Sequence, residues 1–232
     1  SAMVVECFRS FVGRDFVATH EVVDAIAHAQ RIVSDLSEHR DRGAGATLTG
    51  VIATRDGAGQ RAWLAINIGD SRTYLRDAVA LRQVTVDHSL LQEALDATNA
   101  DPAMVAGVVK KNVITRAIGD DVSSADYWLV PLVNGTRILA CSDGLTGELT
   151  DSEMDAILQS FPSSEDAVIE LVEGALDRAG RDNITAVVID VLEGGQDYAG
   201  EVAAYAFDPH GSDEDDDGDT VTRPRSERRA RG

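Results

Sequence analysis

The sequence is poor in cysteine, in basic residues and in long hydrophobic runs. Only two of its 232 residues are cysteines, Cys7 and Cys141, far apart and each among apolar neighbours. There is no CxxC pair and no disulfide-scaffold density, so reduced core thiols of a cytoplasmic protein are expected. Lys and Arg total 21 against 40 Asp and Glu, a net charge of −19. Such a surface repels phosphate backbones and anionic lipid, which argues against nucleic-acid or membrane binding through general charge. It suits a protein that holds metal cations or one that avoids association. No stretch reaches the roughly 18 apolar residues of a membrane span, and the longest apolar run, within Tyr127–Val133, is broken by Pro131. No charged and apolar leader opens the chain, so no signal peptide is expected. Nucleotide and zinc-protease motifs are missing as well. There is no GxxxxGK[ST] and no HExxH, and Gly43-Ala-Gly45 fails as a dinucleotide loop because Leu48 stands where glycine is required. His88, beside a strand, reads as structural rather than as a proton donor.

What is present divides unevenly. Asp208–Gly232 holds eight acids, Asp213-Glu-Asp-Asp-Asp217 among them, then five arginines, with Val221 the one sizeable apolar side chain besides proline. Such a segment cannot bury enough surface to offset its ordering entropy, so 208–232 is expected to be a disordered tail. Thr220 and Thr222 in it are candidate phosphorylation sites. The body, 1–207, keeps thirty-two acids against sixteen bases, so the acidity belongs to the body. It is read as a domain over 1–195 and an extension over 196–207.

The body opens with helices over Ala2–Val12 and His20–His39. The second carries Val22, Ile26, Ala29, Val33 and Leu36 on one face. Strands rich in branched residues follow at Thr47–Thr54, Arg61–Ile68, Arg72–Leu75 and Ala80–Thr85. Short links, including Gly69-Asp70-Ser71, suggest antiparallel hairpins. His88–Lys111 reads as two short helices about Asp101-Pro102. Strands are expected at Tyr127–Val133 and Arg137–Ser142. A helix starts at the Thr150-Asp-Ser-Glu153 capping box and another at a Ser164 cap, and Asn183–Leu192 is a last strand. Runs of strands kept apart from runs of helices indicate an α+β fold of packed antiparallel sheets covered by helix pairs.

Three carboxylates stand where a buried strand meets a loop: Asp70 after Ile66-Asn67-Ile68, Asp143 after Ile138–Ser142, and Asp182 before Ile184–Val188. Rigid strand ends hold functional groups in fixed geometry. Each acid alone could be no more than a turn residue. If the three converge, their mutual repulsion calls for a cation, and oxygen donors without a His or Cys cluster favour Mg²⁺ or Mn²⁺. Two such ions about 3.5–4 Å apart can activate a water and clamp a phosphoryl group.

In order along the chain stand Gly43-Ala-Gly-Ala-Thr-Leu48, Asn67-Ile-Gly-Asp-Ser-Arg-Thr-Tyr-Leu75, Asp87-His-Ser89, Ile114-Thr-Arg-Ala-Ile-Gly119, Cys141-Ser-Asp-Gly-Leu-Thr146 and Gly180-Arg-Asp-Asn-Ile-Thr-Ala-Val-Val188. From about Ser1 to Leu192 the sequence resembles the metal-dependent (PPM, type-2C) serine/threonine protein phosphatases in their bacterial form. The resemblance implies a four-layer α-β-β-α sandwich with two to three Mn²⁺ or Mg²⁺ ions at one edge. It implies that Asp143 and Asp182 are core metal ligands, that Asp70 holds a third ion, that Asn183 supports the Asp182 loop, and that 88–118 includes or adjoins a mobile flap. The implied reaction is hydrolysis of phosphoserine or phosphothreonine by a metal-activated water, on a phosphorylated protein and in opposition to a Ser/Thr kinase.

The resemblance breaks at the N-terminus. The family's Asp-Gly-x-Gly-Gly segment, whose Asp bridges two metals, has no counterpart in 1–232, nor has its phosphate-binding Arg. The expectation is therefore a phosphatase domain lacking its first strands, with a non-catalytic phosphatase-like binding or regulatory module as the alternative.

Overall fold

The computed structural model describes residues 1–38, 44–98, 105, 109, 113–120 and 124–209. The expected second helix of 88–111 and the tail beyond Pro209 lie outside them. The helices are α1 (Ala2–Glu6), α2 (Thr19–Glu38), α3 (Leu90–Thr98), α4 (Asp143–Thr146), α5 (Asp151–Ser160) and α6 (Ser164–Leu176). The strands are β1 (Leu48–Arg55), β2 (Arg61–Ile68), β3 (Arg72–Arg76), β4 (Leu81–Gln83), β5 (Asp126–Pro131), β6 (Arg137–Cys141), β7 (Ala186–Asp190) and β8 (Tyr205–Phe207). They form two four-stranded sheets, ordered β1-β2-β5-β8 and β4-β3-β6-β7, and every pairing is antiparallel.

Alternation along the strands generates the layers, since successive side chains of a strand point to opposite faces. On β2, Leu64, Ile66 and Ile68 join Val22, Ile26, Ala29 and Val33 of α2 in one core. Ala65 points the other way, to meet Val130, Leu75 and Ile138 between the sheets. On the second sheet Tyr74, Leu139 and Cys141 face away from that seam and pack on Met154 and Leu158 of α5 and Leu171 and Ala175 of α6. Three cores thus separate four layers, helix, sheet, sheet, helix, and the α+β sandwich is the observed architecture. Each fully buried Leu or Ile contributes about 1.5–3 kcal/mol. Among the described residues no helix is long and apolar enough to cross a membrane.

Several local expectations change. The opening helix is only α1 plus a single 3₁₀ turn, Arg9–Phe11, because Phe8 leaves the helical region (φ −98°, ψ 0°) and Val12 is extended. Ser163, not Ser164, caps α6, its hydroxyl accepting the Asp166 N–H. β8 has no counterpart in the sequence reading, yet it pairs with β5 as an edge strand. Of the two cysteines, both free, Cys141 is buried while Cys7 is only half-buried. Burial first, and nearby acids after it, push the Cys141 thiol up to about 12, so it stays protonated and inert.

The capping box on α5 is present as expected. The Thr150 side chain accepts from the Glu153 N–H, and Glu153 Oε2 accepts from the Thr150 N–H at 2.9 Å. Replacing Thr150 with Ala is expected to cost about 1 kcal/mol. Urea unfolding checks it, and Thr150→Ser is expected to recover most of the loss.

Candidate metal centre

Asp70 sits where the chain leaves one sheet for the other. The link Gly69-Asp70-Ser71 is not a hairpin turn, because Asn67 pairs with Thr49 and Asp126 in the first sheet whereas Arg72 pairs with Cys141 in the second. The crossover is built by polar contacts around Gly69. The buried Asn67 side chain donates to Gly69 O (2.9 Å) and to Val86 O (3.1 Å), and the His88 N–H donates to Gly69 O (2.9 Å). Gly69 has φ +108°, and a Cβ there would lie 2.4 Å from Thr47 Cγ2, so only glycine fits. Three residues between two strands is the length of a hairpin link, and nothing in the local sequence distinguishes it from this crossover.

Asp143 opens the short α4, directly after β6, with Ser142 at the N-cap position. Ser142 also ties this end to the loop that carries Asp182. Its N–H donates to Thr185 O (3.0 Å), its hydroxyl donates to Asn183 O (3.1 Å), and the Thr185 N–H donates back to the hydroxyl (3.0 Å). The Asn183 N–H donates to Asp182 Oδ1 at 2.7 Å. Gly144 lets the two segments touch, since a Cβ on it would stand 2.4 Å from Asn183 O. Asn183 thus enters the site through its backbone.

Asp70, Asp143 and Asp182 open on one cleft of about 520 Å³. Burial, then the charge of Asp143, then that of Asp87, raise the Asp70 carboxyl above its usual range. Asp70 therefore feels the charge of Asp143. As placed, no three His, Cys, Asp or Glu side chains among the described residues stand close enough together to hold a metal ion. Mutual repulsion keeps ionised carboxylates apart, and a divalent cation reverses that interaction.

Two cations share the cleft wall, and they differ. Arg72 is committed: Nε to Asp87 Oδ1 (2.8 Å), Nη2 to Asp87 Oδ2 (2.7 Å) and Nη1 to Tyr74 OH (3.2 Å). Tyr74 OH in turn donates to Asp151 (3.0 Å). Arg181 donates Nε to Glu148 Oε1 at 2.9 Å, an ion pair that lowers the Glu148 carboxyl. Its Nη1 and Nη2 have no partner among the described residues, and its side chain is 75% exposed. Arg72, Asp87, Glu148 and Arg181 were not assigned from sequence. Arg72, Asp87 and Arg181 stand inside the recognised motifs, whereas Glu148 does not, and its pairing with Arg181, 33 residues away, carries no local signal.

Comparison with known proteins places the chain in a family. The serine/threonine phosphatase stp of Listeria monocytogenes is 33% identical over 164 residues, 69% of this chain. The protein phosphatase PhpP of Streptococcus pneumoniae is 37% identical over 153 residues, 66% of this chain. The PPM Ser-Thr phosphatase MsPP of Mycobacterium smegmatis, solved with cacodylate, superposes with a TM-score of 0.71 at 29% identity over 82% of this chain and 81% of its own. This chain belongs to the PPM family of serine/threonine phosphatases. The matched part spans 63% of the Listeria protein and 60% of PhpP. No protein-family model matches the chain. Another PPM relative by structure, the catalytic domain of PstP, was solved with two manganese ions (TM-score 0.67, 26% identity, covering 83% of this chain and 80% of its own). The all-oxygen donor set of the present cleft fits the same class of hard cation.

Proposed function

We propose that this protein hydrolyses phosphoserine or phosphothreonine on a phosphorylated protein, in opposition to a Ser/Thr kinase, using Mn²⁺ or Mg²⁺. The observation that carries the reading is that three aspartates, Asp70 at the β2–β3 crossover, Asp143 just after β6 and Asp182 in the loop before β7, line one cleft, where the charge of Asp143 helps raise the Asp70 carboxyl. In this reading Asp143 and Asp182 hold the two core ions and Asp70 a third. Bound ions of this kind supply a water of lowered pKa and neutralise phosphoryl charge. The residues do the rest. The Ser142 bridge holds the Asp143 and Asp182 segments at fixed spacing. Asn183 braces the Asp182 carboxylate through its N–H. Arg181, anchored by Glu148 with two nitrogens to spare, binds phosphoryl oxygens at the rim. Arg72 neutralises Asp87, so the net negative charge of the cleft stays with the three ligands.

The test is phosphate release from a phosphothreonine peptide. Turnover in millimolar Mn²⁺ that EDTA abolishes and fresh Mn²⁺ restores is the expected result. No turnover, together with no Mn²⁺ binding by calorimetry, overturns the reading in favour of a non-catalytic phosphatase-like module.

A further inference from the structure

His88 is buried, its side chain 3% exposed, and it does not line the cleft. Nonetheless its ring grips the turn that carries Asp70. The Gly69 N–H points at Nδ1 (3.2 Å), while on the far side Nε2 lies 3.1 Å from Asp126 Oδ2. An Nδ1 that accepts must hold a lone pair, so the ring proton sits on Nε2 and donates to Asp126. Arg116 Nη1 is 3.3 Å from Nε2 and 2.9 Å from Asp126 Oδ1. Since Nε2 is already a donor, Arg116 serves the carboxylate and fixes it as the acceptor for the ring.

The backbone of His88 completes the clamp. Its N–H donates to Gly69 O, and its own carbonyl accepts the Thr115 N–H, both at 2.9 Å. One residue therefore joins the β2–β3 crossover, the start of β5 and the 113–118 segment. The positive φ of Gly69 leaves its N–H with no strand partner, and the imidazole is the group that satisfies it.

We propose that His88 is a positioning residue for metal binding: through Nδ1 and Gly69 it holds the crossover so that Asp70 faces the cleft. The proposal rests on the reading of Asp70 as a metal ligand. Groups that orient a ligand from behind typically govern metal affinity by 10–100-fold.

Two substitutions separate the halves of the clamp. In His88→Asn the amide oxygen takes the place of Nδ1 and can accept from Gly69, but the link to Asp126 is lost. In His88→Gln the terminal NH₂ takes the place of Nε2 and can donate to Asp126, but the Gly69 acceptor is lost. Both remove a buried ring, so loss of packing is common to the pair. Two readouts are taken on each variant: Mn²⁺ isotherms by calorimetry, and hydrogen exchange of the Gly69 amide by NMR. His88→Gln is expected to weaken the weakest Mn²⁺ step by about tenfold and to speed Gly69 exchange, while His88→Asn stays near wild type in both. Equal losses in the two variants, or no loss in His88→Gln, overturn the proposal. Should His88→Gln not fold, His88→Asn decides alone, and loss of Gly69 protection in it is the overturning result. Asp70→Asn separates this inference from its premise. If that variant leaves the Mn²⁺ isotherm unchanged, the ligand role of Asp70 fails, and Gly69 exchange in the two His88 variants still decides whether His88 holds the crossover.

Discussion

Asp143→Asn is expected to lower Mn²⁺-dependent phosphopeptide hydrolysis by about a thousandfold or more while leaving the protein folded. A thousandfold corresponds to roughly 4 kcal/mol of transition-state stabilisation, a plausible share for a group that fixes an activating ion. Asn keeps the shape of Asp and removes the charge. Stability should not fall with activity, because the Asp143 side chain makes no hydrogen bond to another described residue and stands exposed at the cleft mouth. In metal-free protein the change should instead raise the melting temperature. The sign follows from Asp70. Its carboxyl is raised above its unfolded value by burial first and by Asp143 second. A raised acid contributes stability that is fully present below its unfolded pKa, near 3.9, and is lost as pH rises through the folded value. At pH 7 ionised Asp70 is thus a cost, and removing the Asp143 charge lessens it. The gain from Asp143→Asn should shrink toward pH 3, where Asp70 is protonated in both states. Mn²⁺ should reverse the order, since on this reading the wild type, with all three aspartates, binds it more tightly and gains more binding free energy. Thermal melts at pH 7 and pH 3, with EDTA and with Mn²⁺, check these three stability expectations. A variant that loses activity because it unfolds would show the opposite order in EDTA.

The parts of this fold that could be read from sequence are those governed by local periodicity and local chemistry. β2 alternates Leu64, Ile66 and Ile68 against Ala65, and that alternation alone makes it a strand with two covered faces. The α5 capping box needs four adjacent residues and no tertiary information. The three aspartates were legible because each stands next to a hydrophobic run of the sequence. What could not be read depends on which strands become neighbours. Gly69-Asp70-Ser71 has the length of a hairpin, and only the contacts of Asn67 and His88 with Gly69 turn it into a crossover between sheets. β8 is three residues long, with Tyr205 and Ala206 exposed, so it has no alternation to detect and exists by pairing with β5. The Arg72–Asp87 and His88–Asp126 contacts span 15 and 38 residues. The chemistry of the cleft was therefore visible as residue types, and its bracing was not.

Gly144→Ala should expose that bracing. Gly144 is not at a positive-φ position, so alanine brings no backbone strain of its own. Its Cβ would fall 2.4 Å from Asn183 O and 3.0 Å from Asn183 C. Both are backbone atoms, and they cannot rotate aside as a side chain would. Either the start of α4 moves outward or the Asp182–Asn183 loop does, and each motion separates Asp143 from Asp182. Overpacking of this kind costs on the order of 1–3 kcal/mol, or roughly 2–12 °C in melting temperature for a domain of this size. A displacement of about 1 Å at a catalytic constellation costs around a hundredfold in rate. The loss should fall mainly on kcat and on Mn²⁺ affinity, because the contact disturbed is the one that sets the spacing of Asp143 and Asp182. Ser142→Ala works on the same contact from the other side, removing the hydroxyl that bridges Asn183 O and Thr185 N, and is expected to weaken Mn²⁺ binding in the same direction. The double variant should lose less than the sum of the two single losses, since both act on one spacing. Additive losses would mean that the Asp143–Asp182 separation is set elsewhere.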